Sequence, residues 1–126
     1  MIGIIGPMLS EVEHYISIMK DRIDCHILGI PFNTGTIHRN HVVVGQCGVG
    51  KVNAAKCTQT MIHVFKVKCI ILNGVAGALD PSLRVGDVVV ASACIQHDVD
   101  AEPLGLLPGQ LPLEDVRSDL FGERCQ

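Results

Sequence analysis

The stretch MIGIIGPMLSEVEHYISIMKDRI, residues 1–23, decides the fold class. Its first six residues form a short apolar run closed by glycine, the pattern of a strand buried on both faces. A helical pattern follows at once: Met8, Val12, Tyr15, Ile16, Met19 and Ile23 recur at three- and four-residue steps. Pro7 suits the first turn, and Ser10 and Glu13 stand in capping-box relation. Strand, tight turn and helix in immediate succession open an α/β domain.

Working outward, HILGIPFNTGTIHRNHVVVGQCG (26–48) mixes β-branched runs with Asn-Thr-Gly and Arg-Asn-His turn signals and predicts a strand meander. KVNAAKCTQTMIHVFK (51–66) returns to helical period through Val52, Ala55, Met61, Ile62 and Phe65. CIILNGVAGAL (69–79) reads as a buried strand running into a glycine-rich turn, DPSLRVGD (80–87) as a loop and VVVASACIQHD (88–98) as a further strand. Buried strands alternating with helices predict a mixed, largely parallel sheet flanked by helices. In such sheets ligands gather at the carboxyl ends of the strands. Those ends are the turns Gly6–Met8, Cys47–Gly50 and Gly74–Gly77 and the segment His97–Asp100.

The bulk composition narrows the class. A chain of 126 residues suits one domain, and 48% hydrophobic against 18% charged residues, with a mean hydropathy of +0.36, is apolar for that size. No apolar run approaches the roughly 18 residues of a membrane span, and the start lacks the basic region of a signal peptide, which predicts a cytoplasmic location and no membrane partner. A net charge of −3 with both signs interspersed leaves no basic face for nucleic acid. Of the six cysteines, four lie in or beside apolar stretches and none forms C-x-x-C, so most are expected to be reduced core residues rather than disulfide or zinc partners.

GQCGVGKVNAA (45–55) nearly matches a phosphate-binding P-loop: Gly45, Gly50 and Lys51 fit the pattern. The next residue is Val52, which has no hydroxyl for the magnesium ion that bridges the phosphates. A tight strand-to-helix turn is the better reading. His97, Asp98 and Asp100 also imitate a metal site, but their spacing fits no zinc or calcium pattern, and no metal or other cofactor is expected.

IGIIGPM with Glu11 beyond it, GVGKVNAA, NGVAGALDPSLRVGDVVV and QHDVDAEPLGLLPGQLP occur in that order, and in this the chain resembles bacterial 5′-methylthioadenosine/S-adenosylhomocysteine nucleosidases. The likeness covers residues 1–112 and leaves 113–126 as a divergent tail. It implies the phosphorylase-like α/β fold, a homodimer, and hydrolysis of the bond between adenine and a 5′-thio-substituted ribose. Glu11 matches the glutamate that positions the attacking water. The residues themselves agree in kind, because a carboxylate at a helix start is held anionic by the helix dipole and can polarise water, although the same carboxylate on a surface would merely balance that dipole.

Met8 and Val49 match apolar residues along the ribose and 5′-thio end, with plain core packing as the competing role. Ala76 and Gly77 match the small residues of the turn that closes on the nucleoside. Val75 stands where many relatives, and phosphorylases that bind phosphate, carry serine; its side chain cannot donate to an anion, which favours water as co-substrate. Ala101, Leu104 and Pro112 match positions that close the partner subunit's 5′-thio pocket, with Ala101 smaller than the usual valine and Leu104 in place of a common phenylalanine.

The resemblance ends where the family's second half would begin, so the residues that bind adenine, hold the ribose hydroxyls and protonate the leaving purine have no match. Nothing in the surroundings of Asp115 or Asp119 offers a substitute. Two other readings follow: a catalytically inactive chain that binds a nucleoside or assembles with a partner supplying the rest, and a purine nucleoside phosphorylase.

Overall fold

The computed structural model describes residues 1–107. They divide into two compact units, Met1–Leu79 and a second that begins at Asp80. The boundary expected between 112 and 113 lies outside the described residues. The first unit holds five strands, β1 (Ile2–Gly6), β2 (Lys20–Ile27), β3 (Ile30–Ile37), β4 (Asn40–Gln46) and β5 (Cys69–Leu72), and two helices, α1 (Leu9–Ser17) and α2 (Lys51–Val64).

The strands form one mixed sheet in the order β2-β3-β4-β1-β5. β1 runs parallel to β4 on one side and to β5 on the other, while β2, β3 and β4 are joined antiparallel. Alternation along β1 and β4 divides the core between the two faces. Ile5 and Val43 pack with Phe32, Cys57 and Met61 under α2, whereas Ile4, Val42 and Val44 pack with Val12 and Met19 under α1. Phe32, Val12, Val43, Val44, Cys57 and Met61 are completely buried, each of the large ones contributing about 1.5–3 kcal/mol of transfer free energy.

Gly45 belongs to β4 and lies opposite Phe32 of β3. A methyl group there would fall 2.8 Å from both the Phe32 ring and the Met61 methyl and 2.9 Å from the Cys57 sulfur. The first glycine of the P-loop look-alike therefore makes room for the core instead of lining a loop.

Several expected elements differ. The first helix stops at Ser17, and its apparent continuation through Met19 and Ile23 coincides with the entry into β2, where Ile23 is exposed. Its N-cap is Met8, so the capping partner is Glu11 rather than Glu13, and Pro7 precedes the helix. Asn33, Thr34 and Gly35 lie inside β3, and the reversals fall at Leu28–Gly29 and His38–Arg39. Gly35 is under Met19, whose Cγ would be 2.5 Å from an added Cβ. The strand at 69–72 is present but largely exposed, because it forms the sheet edge. In α2 the buried residues are Cys57, Thr60 and Met61, and Val52 points to solvent.

In the second unit the valine run 88–90 is exposed and forms no strand, having no ladder partner among the described residues. The segment His97–Asp100 accordingly follows no strand. The Asp80 carboxylate accepts from the Ser82 N–H and hydroxyl, Asp87 accepts from the Arg84 N–H, and a 3-10 turn spans Glu102–Leu104. Among the described cysteines Cys47 and Cys57 are buried and Cys25 half-buried, but Cys69 and Cys94 are exposed rather than core residues; all five are unbridged. No described helix is long and apolar enough to cross a membrane.

Candidate functional site at the carboxyl ends of three strands

β4, β1 and β5 are neighbours and parallel, so their carboxyl ends share one edge of the sheet. Main-chain bonds tie the turns there: the Cys47 N–H donates to the Gly6 carbonyl (3.0 Å) and the Gly48 N–H to the Pro7 carbonyl (3.1 Å). Two amides of the glycine-rich turn are thus engaged with the β1–α1 turn, where a P-loop would aim them at phosphate. The Asn53 side chain donates to the Val49 carbonyl at 2.8 Å and fixes the rest of the turn. Gly50, at φ +102°, makes the left-handed entry into α2 that a side chain would strain.

Glu11, in the first turn of α1, stands at the centre and is only 9% exposed. A carboxylate so placed has the helix N-terminus beneath it and needs partners for its oxygens. It has them: Oε2 accepts the Met8 N–H at 2.8 Å and Oε1 accepts the Val75 N–H at 3.0 Å. Each carboxylate oxygen offers about two lone-pair sites, so one on each remains for a water or a hydroxyl. Glu11 is therefore a buried rather than a solvated carboxylate, and its bond to the Met8 N–H also closes the capping box of α1.

Met8 and Val75 are therefore joined to Glu11 through their main chains, and both side chains are exposed, as is Val49 in the neighbouring turn. Met8 and Val49 are not core residues. Ala76 and Gly77 are exposed as well, and a methyl group at Gly77 would meet open space. In the second unit, Ala101 is buried and precedes the 3-10 turn, whereas Leu104 is exposed. Pro112 lies outside the described residues. Asp100 accepts from the Glu102 N–H at 3.0 Å, a local turn bond, and among the described residues no group of three or more His, Cys, Asp or Glu side chains could hold a metal ion.

Two residues at this edge were not foreseen. Asn73 donates from Nδ2 to the Glu11 main-chain carbonyl at 2.7 Å, a bond across 62 positions that no spacing rule announces. Cys47 is buried and directs its thiol to the Gly48 carbonyl. Burial pushes that thiol above its ordinary value, and the negative charge of Glu11 pushes it the same way. The only advance signal for either was its position beside a glycine-rich turn.

A family model described as "Phosphorylase superfamily" matches residues 1–119. A 5′-methylthioadenosine/S-adenosylhomocysteine nucleosidase of Staphylococcus haemolyticus is 43% identical over 112 residues, 89% of this chain and 49% of that protein. Among solved structures, the nucleosidase of Colwellia psychrerythraea 34H in complex with adenine superposes with a TM-score of 0.87 at 40% identity, over 88% of this chain and 46% of that one. Futalosine hydrolase of Helicobacter pylori gives 0.84 at 32% identity, over 90% and 49%. The chain spans about half the length of the relatives it matches. With a family model matching residues 1–119 and relatives at 43% and 40% identity over most of its length, the chain belongs to the phosphorylase superfamily.

Proposed function

We propose that this chain carries the water-activating part of an adenine-nucleoside hydrolase that cleaves the N-glycosidic bond of 5′-methylthioadenosine or S-adenosylhomocysteine. The observation that carries the proposal is the buried Glu11 carboxylate, held by two main-chain amides with one acceptor site left on each oxygen. A water bound there is oriented for attack on the sugar C1′, and the fixed negative charge stabilises positive charge developing on the ribose. The water oxygen bonds to C1′, the C1′–N9 bond breaks with its electron pair going to the purine, the water gives a proton to Glu11, which returns it to solvent, and the purine anion takes up a proton from solvent to leave as adenine.

Met8 and Val49 supply exposed apolar surface beside this carboxylate for the ribose and the 5′-thio group, and the small Ala76 and Gly77 let main chain approach the nucleoside. Ala101, Leu104 and Pro112 complete the 5′ pocket of a second subunit. A homodimer, a place in methionine salvage and a cytoplasmic location belong to the same reading and rest on the family resemblance. Water is favoured over phosphate because the Val75 N–H, an amide that could meet an anion, already donates to a carboxylate.

A second reading has a specific observation behind it. Among the described residues β5 is an edge strand, with Ile71 and Leu72 exposed. A sheet edge of this kind favours association, so in this reading the chain acts as a binding or assembly subunit.

The deciding experiment is adenine release from methylthioadenosine by the purified 126-residue chain, with and without phosphate, beside Glu11→Gln. Hydrolysis independent of phosphate and reduced at least a hundredfold by Glu11→Gln supports the first reading. Phosphate-dependent release would make the chain a purine nucleoside phosphorylase. Binding of methylthioadenosine without release supports the assembly subunit.

A further inference from the structure

Asn73 follows β5 directly and is bonded in two directions. Its main-chain N–H donates to the Ile5 carbonyl at 2.9 Å, which extends the β1–β5 ladder beyond Leu72. Its side chain turns toward α1, where Nδ2 donates to the Glu11 carbonyl at 2.7 Å. Because the acceptor is a carbonyl oxygen, the amide orientation is fixed by chemistry. Two residues on, the Val75 N–H reaches Glu11 Oε1.

The neighbouring glycines make this approach feasible. A Cβ on Gly6 would lie 3.1 Å from the Asn73 carbonyl oxygen and 3.2 Å from Glu11 Cβ, and one on Gly74 would lie 3.3 Å from Glu11 Oε1. The main chain leaving β5 is thereby locked between the end of β1 and the first turn of α1, and the amide it presents next is the one that holds the carboxylate.

We infer that Asn73 is the positioning residue of Glu11: through its side-chain bond to α1 it sets where the Val75 amide stands and hence how the carboxylate is turned. Without that bond the 73–75 segment loses its tie to α1, Val75 no longer donates, and the carboxylate swings on the Met8 bond alone. The placement of Glu11 stands on the hydrogen bonds; its consequence for catalysis rests on reading Glu11 as the carboxylate that binds the attacking water.

Amide hydrogen exchange of the full chain, followed residue by residue by NMR, tests this in the wild type, N73A, N73D, E11A and the double variant E11A/N73A. N73D keeps the size of the side chain and loses both donors. In N73A and N73D the Val75 N–H is expected to exchange on the order of tenfold faster, the effect of one lost hydrogen bond to a charged acceptor, while the Val43 and Val44 amides in β4 keep their protection. E11A alone should do the same, and adding N73A to E11A should change Val75 by less than about threefold, because both act through one bond.

Unchanged Val75 exchange in N73D, or a full second tenfold in the double variant, overturns the inference. If N73A unfolds, shown by loss of Val43 and Val44 protection, N73D decides. In the adenine-release assay N73D should lower kcat at least tenfold with KM within threefold, and a raised KM at unchanged kcat would mean direct substrate contact instead. Absence of release by the wild-type chain would defeat the hydrolase reading, while the exchange data would still decide the role of Asn73.

Discussion

Substituting Gly6 by alanine tests whether the end of β1, the first turn of α1 and the exit from β5 are packed as one unit. The added methyl would lie 2.7 Å from Val12 Cγ1, 3.1 Å from the Asn73 carbonyl oxygen and 3.2 Å from Glu11 Cβ. Carbon atoms in contact rest about 3.5–4.0 Å apart, so the overlap with Val12 is about 1 Å. Val12 cannot step aside, since it is fully buried in the cluster with Ile4 and Val44. The second obstacle is main chain, and the third is the root of a side chain whose carboxylate is bonded at both oxygens. Overpacking a tight core costs about 1–3 kcal/mol; with three neighbours unable to yield, the upper part of that range, about 2–3 kcal/mol, is expected. At a urea slope of about 1–3 kcal/mol per molar, the midpoint of urea unfolding should fall by about 0.7–3 M. Val12→Ala in the same chain removes the nearest methyl, and the double variant should lose clearly less stability than the sum of the two single ones. A loss below about 0.5 kcal/mol for Gly6→Ala, or strict additivity with Val12→Ala, would refute the packing described for this corner.

Gly77→Ala should leave the urea midpoint unchanged within about 0.5 kcal/mol, the range of a neutral surface substitution, because its Cβ enters open space; if the turn closes on the nucleoside, isothermal titration with methylthioadenosine should nevertheless show weaker binding. Burial pushes the Cys57 thiol up from 9.0 to about 12. A raised folded value means that the unfolded chain sheds this proton first, so the contribution is fully present below about pH 9 and is lost as pH rises toward about 12. The unfolding free energy from urea titrations between pH 8 and 10.5 should fall with a slope approaching about 1.4 kcal/mol per pH unit, and Cys57→Ala should flatten that part of the slope. Arg22→Ala should change stability by less than about 0.5 kcal/mol, because the Arg22–Asp24 pair is solvent-exposed.

The parts of the fold that were legible are those where one physical signal dominates. β1 and β4 are apolar runs long enough for a strand and too short for a helix, and α2 shows helical period over more than three turns. The boundary between α1 and β2 was not legible, because Met19, just before β2, and Ile23, inside it, continue the four-residue step of the helix beyond its end at Ser17. Gly35 misled for a related reason: glycine after Asn-Thr signals a turn, but here it answers to Met19 packed against its face. The valine run 88–90 has strong β propensity, and propensity is realised only on a paired, half-buried surface. At the site, Glu11 could be singled out because a carboxylate near a helix start has a recognisable role. Asn73 could not, because its bond to Glu11 crosses 62 positions and exists only once the sheet order is known.

That order also explains why the carboxylate stands where it does. β1 is flanked by β4 and β5, both parallel to it, while α1 covers one face of the sheet and α2 the other. The chain leaves β1 toward one face and leaves β4 toward the opposite one, and in α/β sheets ligands bind at the carboxyl edge where such connections diverge. A nucleotide-binding sheet presents main-chain amides aimed at phosphate there. Here the Cys47 and Gly48 amides bond to the β1–α1 turn, and the Met8 and Val75 amides bond to Glu11. At this edge those four amides are thus engaged within the protein, two of them by a carboxylate. On the proposed hydrolase reading, a dianionic phosphate meets repulsion at such a point whereas a neutral water or sugar hydroxyl meets an acceptor, so that reading rests on the hydrogen-bond pattern of the turns more than on their glycine content.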